Sequence, residues 1–192
     1  MVFTKDSIFL KKYELKDYRL TFRSKYRAAD IEVKKNSIVL IGMPGAGKTT
    51  MAPLLADKLG WSLIDTDDEI ESAAGKSCQQ IVSQYGYLYF RHLEENQLIS
   101  MTVAKHVIAT GGSAIYSDAG MNHLRSGGTV VFMQISFDDL LKRKLDMENR
   151  GIASEIGRSF REIYLERQPL YLKYADHTVD CYEKSKAQVL HE

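Results

Sequence analysis

Residues 42–49 carry the clearest chemical signature in this chain. They read Gly-Met-Pro-Gly-Ala-Gly-Lys-Thr and match the phosphate-binding pattern G-x-x-x-x-G-K-S/T at every fixed position. Glycines let the backbone curl around phosphate oxygens, and the start of the next helix adds unpaired N–H groups. Lys48 supplies a positive charge, and the Thr49 hydroxyl suits Mg²⁺. The segment predicts a nucleoside triphosphate site with contacts from Gly42, Gly45, Ala46, Gly47, Lys48, Thr49 and Thr50.

Carboxylates follow the second predicted strand, in the segment Asp65-Thr66-Asp67-Asp68. Asp65 suits the Mg²⁺ shell through water, because Mg²⁺ prefers carboxylates and keeps several waters. Asp67 can accept a hydrogen bond from a substrate hydroxyl or remove its proton. Asp and Thr are also good helix caps, so these residues could instead begin the next helix, and the two roles are compatible.

Weaker signals come from glycines and arginines further along the chain. Gly111-Gly112-Ser113 follows the third predicted strand, where consecutive glycines permit close approach by a ligand or simply form a tight turn. Glu94 lies one turn after Arg91, a spacing that suits either an acid orienting a guanidinium or a surface salt bridge. Arginine is preferred for bidentate binding of carboxylates and phosphates. Three further arginines of interest are Arg143, Arg150 and Arg167.

Alternating strands and helices must position these side chains. Strands are predicted at 37–41, 62–65, 106–110, 129–134 and 177–180. Helices are predicted at 48–59, 66–74, 77–85, 88–105, 118–126, 137–148, 158–174 and 184–190. Short apolar strands between helices predict an α/β fold with a parallel sheet covered on both faces. In such a sheet ligands bind at the carboxyl ends of the strands.

Length and composition limit the class of protein. The chain has 192 residues, 44% of them apolar, and a formal net charge of +1. We expect one domain over 37–192, preceded by an N-terminal extension over 1–36 whose role the sequence leaves unknown. Basic and aromatic residues in the extension could contact nucleic acid, but the interspersed acidic residues and the lack of a known nucleic-acid motif favour a docked or partly ordered extension. We expect a cytoplasmic protein without nucleic-acid or membrane partners, acting as a monomer, with an oligomer left open.

Five motifs in order resemble the shikimate kinase family, over roughly residues 37 to 182. They are the phosphate-binding loop, Asp65-Thr66-Asp67, Phe90-Arg91-x-x-Glu94, Ala109-Thr110-Gly111-Gly112 and Arg167-x-Pro169-Leu170-Tyr171. This family shares its fold with the nucleoside monophosphate kinases. The resemblance therefore implies a three-layer P-loop kinase fold with a five-stranded parallel sheet, a helical substrate-binding segment and a mobile lid.

The resemblance implies ATP-dependent phosphorylation of shikimate to shikimate 3-phosphate, with ATP and Mg²⁺ as cofactors. Lys48 would contact the transferring phosphate, and Thr49 would ligate Mg²⁺ with Asp65 supporting the metal through water. Arg150 would sit in the lid and reach the phosphates as a catalytic residue. Arg143 would lie near the adenine.

The acceptor side follows from the same resemblance. Asp67 would hold the reacting hydroxyl region of this small hydroxy acid and act as the base. Arg91 and Arg167 would grip its carboxylate. The substrate-binding residues implied in this way are Asp67, Arg91, Gly111, Gly112, Ser113 and Arg167.

Three departures from the family pattern surround the acceptor and the lid. Ser113 replaces a third glycine, Arg150-Gly151 replaces Arg-Pro, and Gly86-Tyr87 replaces Gly-Glu. They leave open a kinase of the same fold for another small hydroxy acid, such as homoserine or gluconate. A third reading is a regulatory module that only binds nucleotide. The presence together of Lys48, Thr49, Asp65 and Asp67 argues against that module.

Overall fold

Five parallel strands form a sheet with helices on both faces. The computed structural model describes residues 36–102, 104–143, 157–182 and 184–191. The strands are β1 (Ser37–Ile41), β2 (Ser62–Asp65), β3 (His106–Ala109), β4 (Gly128–Gln134) and β5 (His177–Asp180). The helices are α1 (Lys48–Leu59), α2 (Thr66–Ala74), α3 (Cys78–Tyr85), α4 (Tyr87–Ser100), α5 (Asp118–Gly127), α6 (Phe137–Arg143), α7 (Phe160–Tyr174) and α8 (Lys186–His191). The predicted α/β fold with a five-stranded parallel sheet is confirmed.

The strand order β2-β3-β1-β4-β5 determines where a ligand site can form. The chain passes from β1 to β2 on one side of β1, and later from β3 to β4 on the other side. Because parallel crossovers are right-handed, these opposite moves place their helices on opposite faces. Ala109 pairs with both Leu40 and Asp65, so the carboxyl ends of β1, β2 and β3 lie side by side. Ligands bind at such a switch point in open α/β sheets.

The inner strands are buried on both faces. Val39, Val107, Val130 and Phe132 are 0% exposed. Continuous apolar strands are needed here because helices cover both sides of the sheet. Each such side chain contributes roughly 1.5–3 kcal/mol relative to exposure in water. This packing fixes the inner strands, and with them the polar residues that follow their ends.

Side-chain caps determine where several helices begin. Ser77 and Ser159 form capping boxes with Gln80 and Glu162 at the starts of α3 and α7. Each cap contributes about 1 kcal/mol, because it satisfies helix N–H groups that would otherwise lack a partner. The predicted bounds agree with the observed ones to within two residues for the strands and for most of the helices.

The helix predicted at 88–105 is wrong at its end. α4 stops at Ser100, and the backbone at Met101 is extended, with φ −75° and ψ 121°. Met101 is 4% exposed, so its side chain packs in the core as the chain leaves the helix. Lys105 has a positive φ of 57° and joins two strand ends through hydrogen bonds to Asn36 and Ser62. Tertiary contacts therefore end a helix that no glycine or proline stops.

Some predictions lie outside the described residues. They are the lid with Arg150, the extension over 1–36 apart from Asn36, and the end of the helix predicted at 137–148, whose described part is α6. Among the helices that the structure describes, none has the length and apolar character needed to cross a membrane.

Candidate active site

The phosphate-binding loop connects β1 to α1 through left-handed glycines. Gly42, Gly45 and Gly47 have φ angles of 148°, 85° and 105°. At Gly42 a Cβ atom would lie 2.7 Å from the carbonyl oxygen of Met133, so a side chain has no room there. Gly47 is the N-cap of α1, and no side chain caps the helix. The first N–H groups of α1 therefore remain directed at the loop, as anion binding requires.

Lys48 lies inside this loop. Its side chain is 7% exposed, and its Nζ donates to the carbonyl oxygens of Gly42 at 2.7 Å and Met43 at 3.0 Å. Arg143, from the end of α6, donates from Nη1 to the carbonyl oxygens of Gly45 at 3.3 Å and Ala46 at 3.4 Å. Two positive side chains thus contact the carbonyl groups of one loop.

Thr49 and Asp65 meet at the carboxyl ends of β1 and β2. Thr49 Oγ1 donates to Asp65 Oδ2 at 3.2 Å. The other oxygen, Asp65 Oδ1, accepts from the backbone N–H of Asp67 at 3.0 Å and so caps α2. The capping interpretation of Asp65 is correct, and its second oxygen still faces the phosphate-binding loop. A hydroxyl beside a carboxylate is a donor set that fits Mg²⁺.

Gly111 and Gly112 approach other groups of the site through their backbone. A Cβ atom at Gly111 would lie 2.6 Å from Asp67 Oδ1 and would also collide with Glu94 Oε1. At Gly112 it would lie 2.6 Å from Pro44 Cδ and 3.1 Å from an Arg167 nitrogen. The two glycines are therefore required by close approach to these groups, since neither has a positive φ.

Glu94 is bound to Ser113 rather than to Arg91. Ser113 Oγ donates to Glu94 Oε2, while Glu94 Oε1 has no hydrogen-bond partner among the described residues. The pKa of the Glu94 carboxyl rises to about 8, chiefly because the group is buried and in part because of the charge of Asp67, while the hydrogen bond from Ser113 and the charges of Arg167 and Arg91 act in the opposite direction. The interpretation of Arg91 and Glu94 as an ion pair is wrong, because the Glu94 carboxyl is hydrogen-bonded to Ser113, in the segment that follows β3.

Arg91 and Arg167 both contact Tyr116. Arg91 Cζ lies 3.5 Å from the centroid of the Tyr116 ring, and Arg167 Cζ lies 5.2 Å from it. Arg167 is 1% exposed, and its Nε donates to Tyr116 Oη at 3.3 Å. Tyr171 Oη, from the same helix as Arg167, donates to the carbonyl oxygen of Gly112 at 2.7 Å. These contacts connect α4, α7 and the segment after β3.

Tyr116 belongs to a 3₁₀ turn, Ala114–Tyr116, that sequence reasoning missed. No motif includes this residue, and a single tyrosine after a strand has no periodicity to indicate its position. Only the fold brings it to both arginines, which precede and follow it in the chain by 25 and 51 positions.

Glu94 makes the stability of the protein depend on pH. Its ordinary pKa is 4.5 and rises to about 8 in the folded chain, so the folded state holds a proton that the unfolded state releases. The free energy of unfolding should therefore fall as pH rises from about 4.5 to about 8, by up to about 5 kcal/mol. In Glu94→Gln this fall should be absent, and urea unfolding at about pH 5 and about pH 8.5 measures it.

Glu95→Gln is the matched control, because it removes the adjacent carboxylate of the same helix, which accepts from Ser117 Oγ at 2.6 Å. It should keep the pH dependence of the wild type. Equal pH slopes for the wild type and Glu94→Gln would show that Glu94 does not titrate in this range.

Comparison with known proteins identifies the family. A profile of the family described as shikimate kinase matches residues 44–192. The chain is 36% identical to the shikimate kinase of Thiobacillus denitrificans over 158 residues, covering 80% of this chain and 86% of the relative. It is 37% identical to that of Moorella thermoacetica over 159 residues, covering 81% and 91%.

A solved structure shows the same relationship. It is shikimate kinase from Acinetobacter baumannii in complex with shikimate, with 30% identity and a TM-score of 0.75 over 83% of this chain and 90% of that one. The profile match begins inside the phosphate-binding loop and includes the ends of β2 and β3 and the glycine segment described above. This chain therefore belongs to the shikimate kinase family.

Proposed function

We propose that this chain transfers the γ-phosphate of ATP to a hydroxyl of shikimate and releases shikimate 3-phosphate and ADP. The observation that carries the proposal is the meeting of a phosphate-binding loop, a carboxylate, the buried Arg167 and the half-buried Arg91 at one edge of the sheet. The loop suits the triphosphate, and the arginines suit a carboxylate. The related kinase from Acinetobacter baumannii was solved with shikimate bound, which supports this acceptor.

The phosphate end of the reaction rests on the loop. Its N–H groups and Lys48 would bind the β- and γ-phosphates, with Lys48 exchanging its carbonyl partners for phosphate oxygens as charge develops. Thr49 would hold Mg²⁺ directly and Asp65 would do so through water. Bound Mg²⁺ would supply positive charge that stabilises the phosphates during transfer. Arg143, which contacts the carbonyl groups of the loop, would lie near the adenine of the nucleotide.

The acceptor end uses the residues around Gly111 and Gly112. Asp67 would accept the proton of the attacking hydroxyl while the new O–P bond forms and the bond to the ADP oxygen breaks. Arg91 and Arg167 would bind the carboxylate and orient the ring of the acceptor. Backbone groups of the two glycines would approach the acceptor, and Ser113 would hold Glu94 beside it.

We also propose roles for Arg150 and for residues 1–36. Arg150 would come from a lid and stabilise the transferring phosphate, as a mobile arginine does in many kinases. The protein would act in the cytoplasm as a monomer on a small-molecule substrate. Residues 1–36 would form an extension that catalysis does not require, so removing residues 1–30 should leave kcat and KM unchanged.

The test is a measurement of ADP release from ATP and Mg²⁺ with different acceptors. We expect turnover of about 1–100 s⁻¹ with shikimate. Homoserine, gluconate and a reaction without acceptor should give only background release. Turnover with gluconate or homoserine alone would transfer the proposal to another hydroxy-acid kinase. Nucleotide binding without turnover on any acceptor would instead indicate a regulatory module.

Gly111→Ala should separate acceptor binding from nucleotide binding. The added methyl group would collide with Asp67 and Glu94, and Gly111 cannot easily retreat because its N–H donates to Thr66 Oγ1 at 2.9 Å. We expect kcat/KM for shikimate to fall by about 10²-fold or more, since small misplacements of a reacting group have effects of this size. The dissociation constant for ATP, measured by calorimetry, should stay within about threefold of wild type.

Gly128→Ala is the matched control for the cost of an added methyl group. It introduces a Cβ atom 3.0 Å from Val39 Cγ2 at the amino end of β4, far from the site. It should lower the unfolding temperature and leave KM for shikimate unchanged. A similar loss of kcat/KM in both variants would assign the effect of Gly111→Ala to general destabilisation.

A further inference from the structure

Two tyrosine rings flank the guanidinium of Arg91. Its Cζ lies 3.5 Å from the centroid of the Tyr116 ring and 5.2 Å from that of Tyr87. Tyr87 is the first residue of α4, one turn before Arg91, and Tyr116 comes from the 3₁₀ turn after β3. We propose that Tyr87 and Tyr116 are positioning residues that hold the arginines for the carboxylate of the acceptor. This inference rests on the proposed function.

The hydrogen bonds of Arg91 support this role. Its Nε is buried and has no hydrogen-bond partner among the described residues, although a buried donor without a partner costs about 1–3 kcal/mol. An aromatic face attracts a guanidinium without using its N–H groups, which point outward in the plane of the group. An acidic partner would fix the arginine equally well but would occupy those donors. The rings therefore orient Arg91 and leave its donors available to a carboxylate.

Tyr116 contacts the second arginine as well. Its hydroxyl accepts from Arg167 Nε at 3.3 Å, and its ring centroid lies 5.2 Å from Arg167 Cζ. Burial lowers the pKa of the Arg91 guanidinium, and the positive charge of Arg167 lowers it further. One ring thus brings together two cations that repel each other, and a bound carboxylate would relieve this repulsion.

The hydroxyl of Tyr116 has a second partner besides Arg167. Its hydroxyl hydrogen-bonds to Glu166, whose carboxylate forms an ion pair with Arg158. Glu166 precedes Arg167 on α7, so the same helix fixes both the ring and one of the guanidiniums. The charged and titratable groups around the two rings are therefore Arg91, Arg167, Glu94, Arg158 and Glu166. The Tyr116 side chain thus lies at the centre of the two arginines proposed to bind the carboxylate of the acceptor.

The experiment compares shikimate with its uncharged carboxamide in the wild type and in variants of both tyrosines. Tyr116→Leu removes the ring, whereas Tyr116→Phe keeps the ring and removes the hydroxyl. Cation–π contacts of about 0.5–2 kcal/mol correspond to factors of roughly 2–30. We expect Tyr116→Leu to lower the preference for shikimate over the amide by about tenfold or more, through a higher KM for shikimate, with KM for ATP unchanged.

Tyr116→Phe should retain most of this preference, and Tyr87→Leu should lose about two- to fivefold because its ring lies further from Arg91. Tyr89→Leu is the control, since Tyr89 lies on the same helix but packs on Tyr85 with ring centroids 5.0 Å apart. It should keep the wild-type preference. If Tyr116→Leu does not fold, the preference for shikimate over the amide is compared in Tyr87→Leu and Tyr116→Phe instead.

Equal losses of activity on the acid and on the amide in Tyr116→Leu or Tyr87→Leu would overturn the inference, because such losses indicate general disruption. An unchanged preference in both leucine variants would also overturn it. Failure of the proposed function has a different signature, namely a wild-type protein without turnover on shikimate.

Discussion

Replacement of Lys48 by methionine is expected to lower kcat by about 10³-fold or more, the largest effect of any single change in the nucleotide half of the site. Methionine keeps the length and apolar stem of lysine but removes its charge. Lys48 is buried in the loop, and its Nζ contacts the carbonyl oxygens of Gly42 and Met43. A charge held there acts on the transferring phosphate without competition from bulk water, which makes its loss expensive.

Single-turnover kinetics with saturating shikimate would measure this loss, and calorimetry would measure ATP binding separately. We expect the dissociation constant for ATP to rise far less than kcat falls, since the loop N–H groups remain. Lys58→Met is the matched control because Lys58 lies on the same helix and its Nζ donates to the carbonyl oxygen of Leu190 at 3.3 Å, at the opposite end of α1 from the loop. It should leave kcat unchanged. A Lys48→Met enzyme with kcat within about tenfold of wild type would show that the loop amides provide the stabilisation.

Replacement of Arg167 by alanine is expected to raise KM for shikimate by about 10²-fold and to lower the free energy of unfolding by about 2–4 kcal/mol. The loss of affinity follows from removing a bidentate donor for the carboxylate. The loss of stability follows from the burial of the side chain, which is 1% exposed and contacts Tyr116 and Gly112. Steady-state kinetics and urea unfolding measure the two effects independently.

Arg167→Lys separates charge from geometry. Lysine keeps the positive charge but lacks the planar fork that can bind Tyr116 and a carboxylate at once. We expect it to recover part of the stability and little of the affinity for shikimate, with KM for ATP unchanged in both variants. If KM and kcat/KM for shikimate barely change in Arg167→Ala, the assignment of this arginine to the carboxylate is wrong.

The parts of the site that the sequence predicts well are those fixed by local geometry. The phosphate-binding loop, its strand and its helix lie within one continuous segment, and Asp65 ends a strand whose direction the apolar pattern indicates. Glu94 shows where such reasoning stops. Its spacing from Arg91 suggested an ion pair, but burial brings it to Ser113, which lies 19 positions away in the chain.

Tyr116 could not be predicted for the same reason. Its partners Arg91 and Arg167 come from two helices, and the contacts depend on how those helices pack on the segment after β3. The end of α4 was also missed because Met101 packs in the core, a tertiary contact that helix propensity does not contain. Local patterns therefore predicted the fold and the nucleotide side, whereas the acceptor side depends on packing between distant segments.

The contact between Ser113 and Glu94 has a consequence for how this protein can evolve. Replacing Ser113 by glycine would remove the hydrogen bond to Oε2 of a buried carboxyl group whose other oxygen, Oε1, has no partner among the described residues. The same replacement would cost little in a chain that had first lost Glu94. The two positions are therefore expected to show epistasis. The stability cost of substituting Ser113 depends on whether Glu94 has been substituted first.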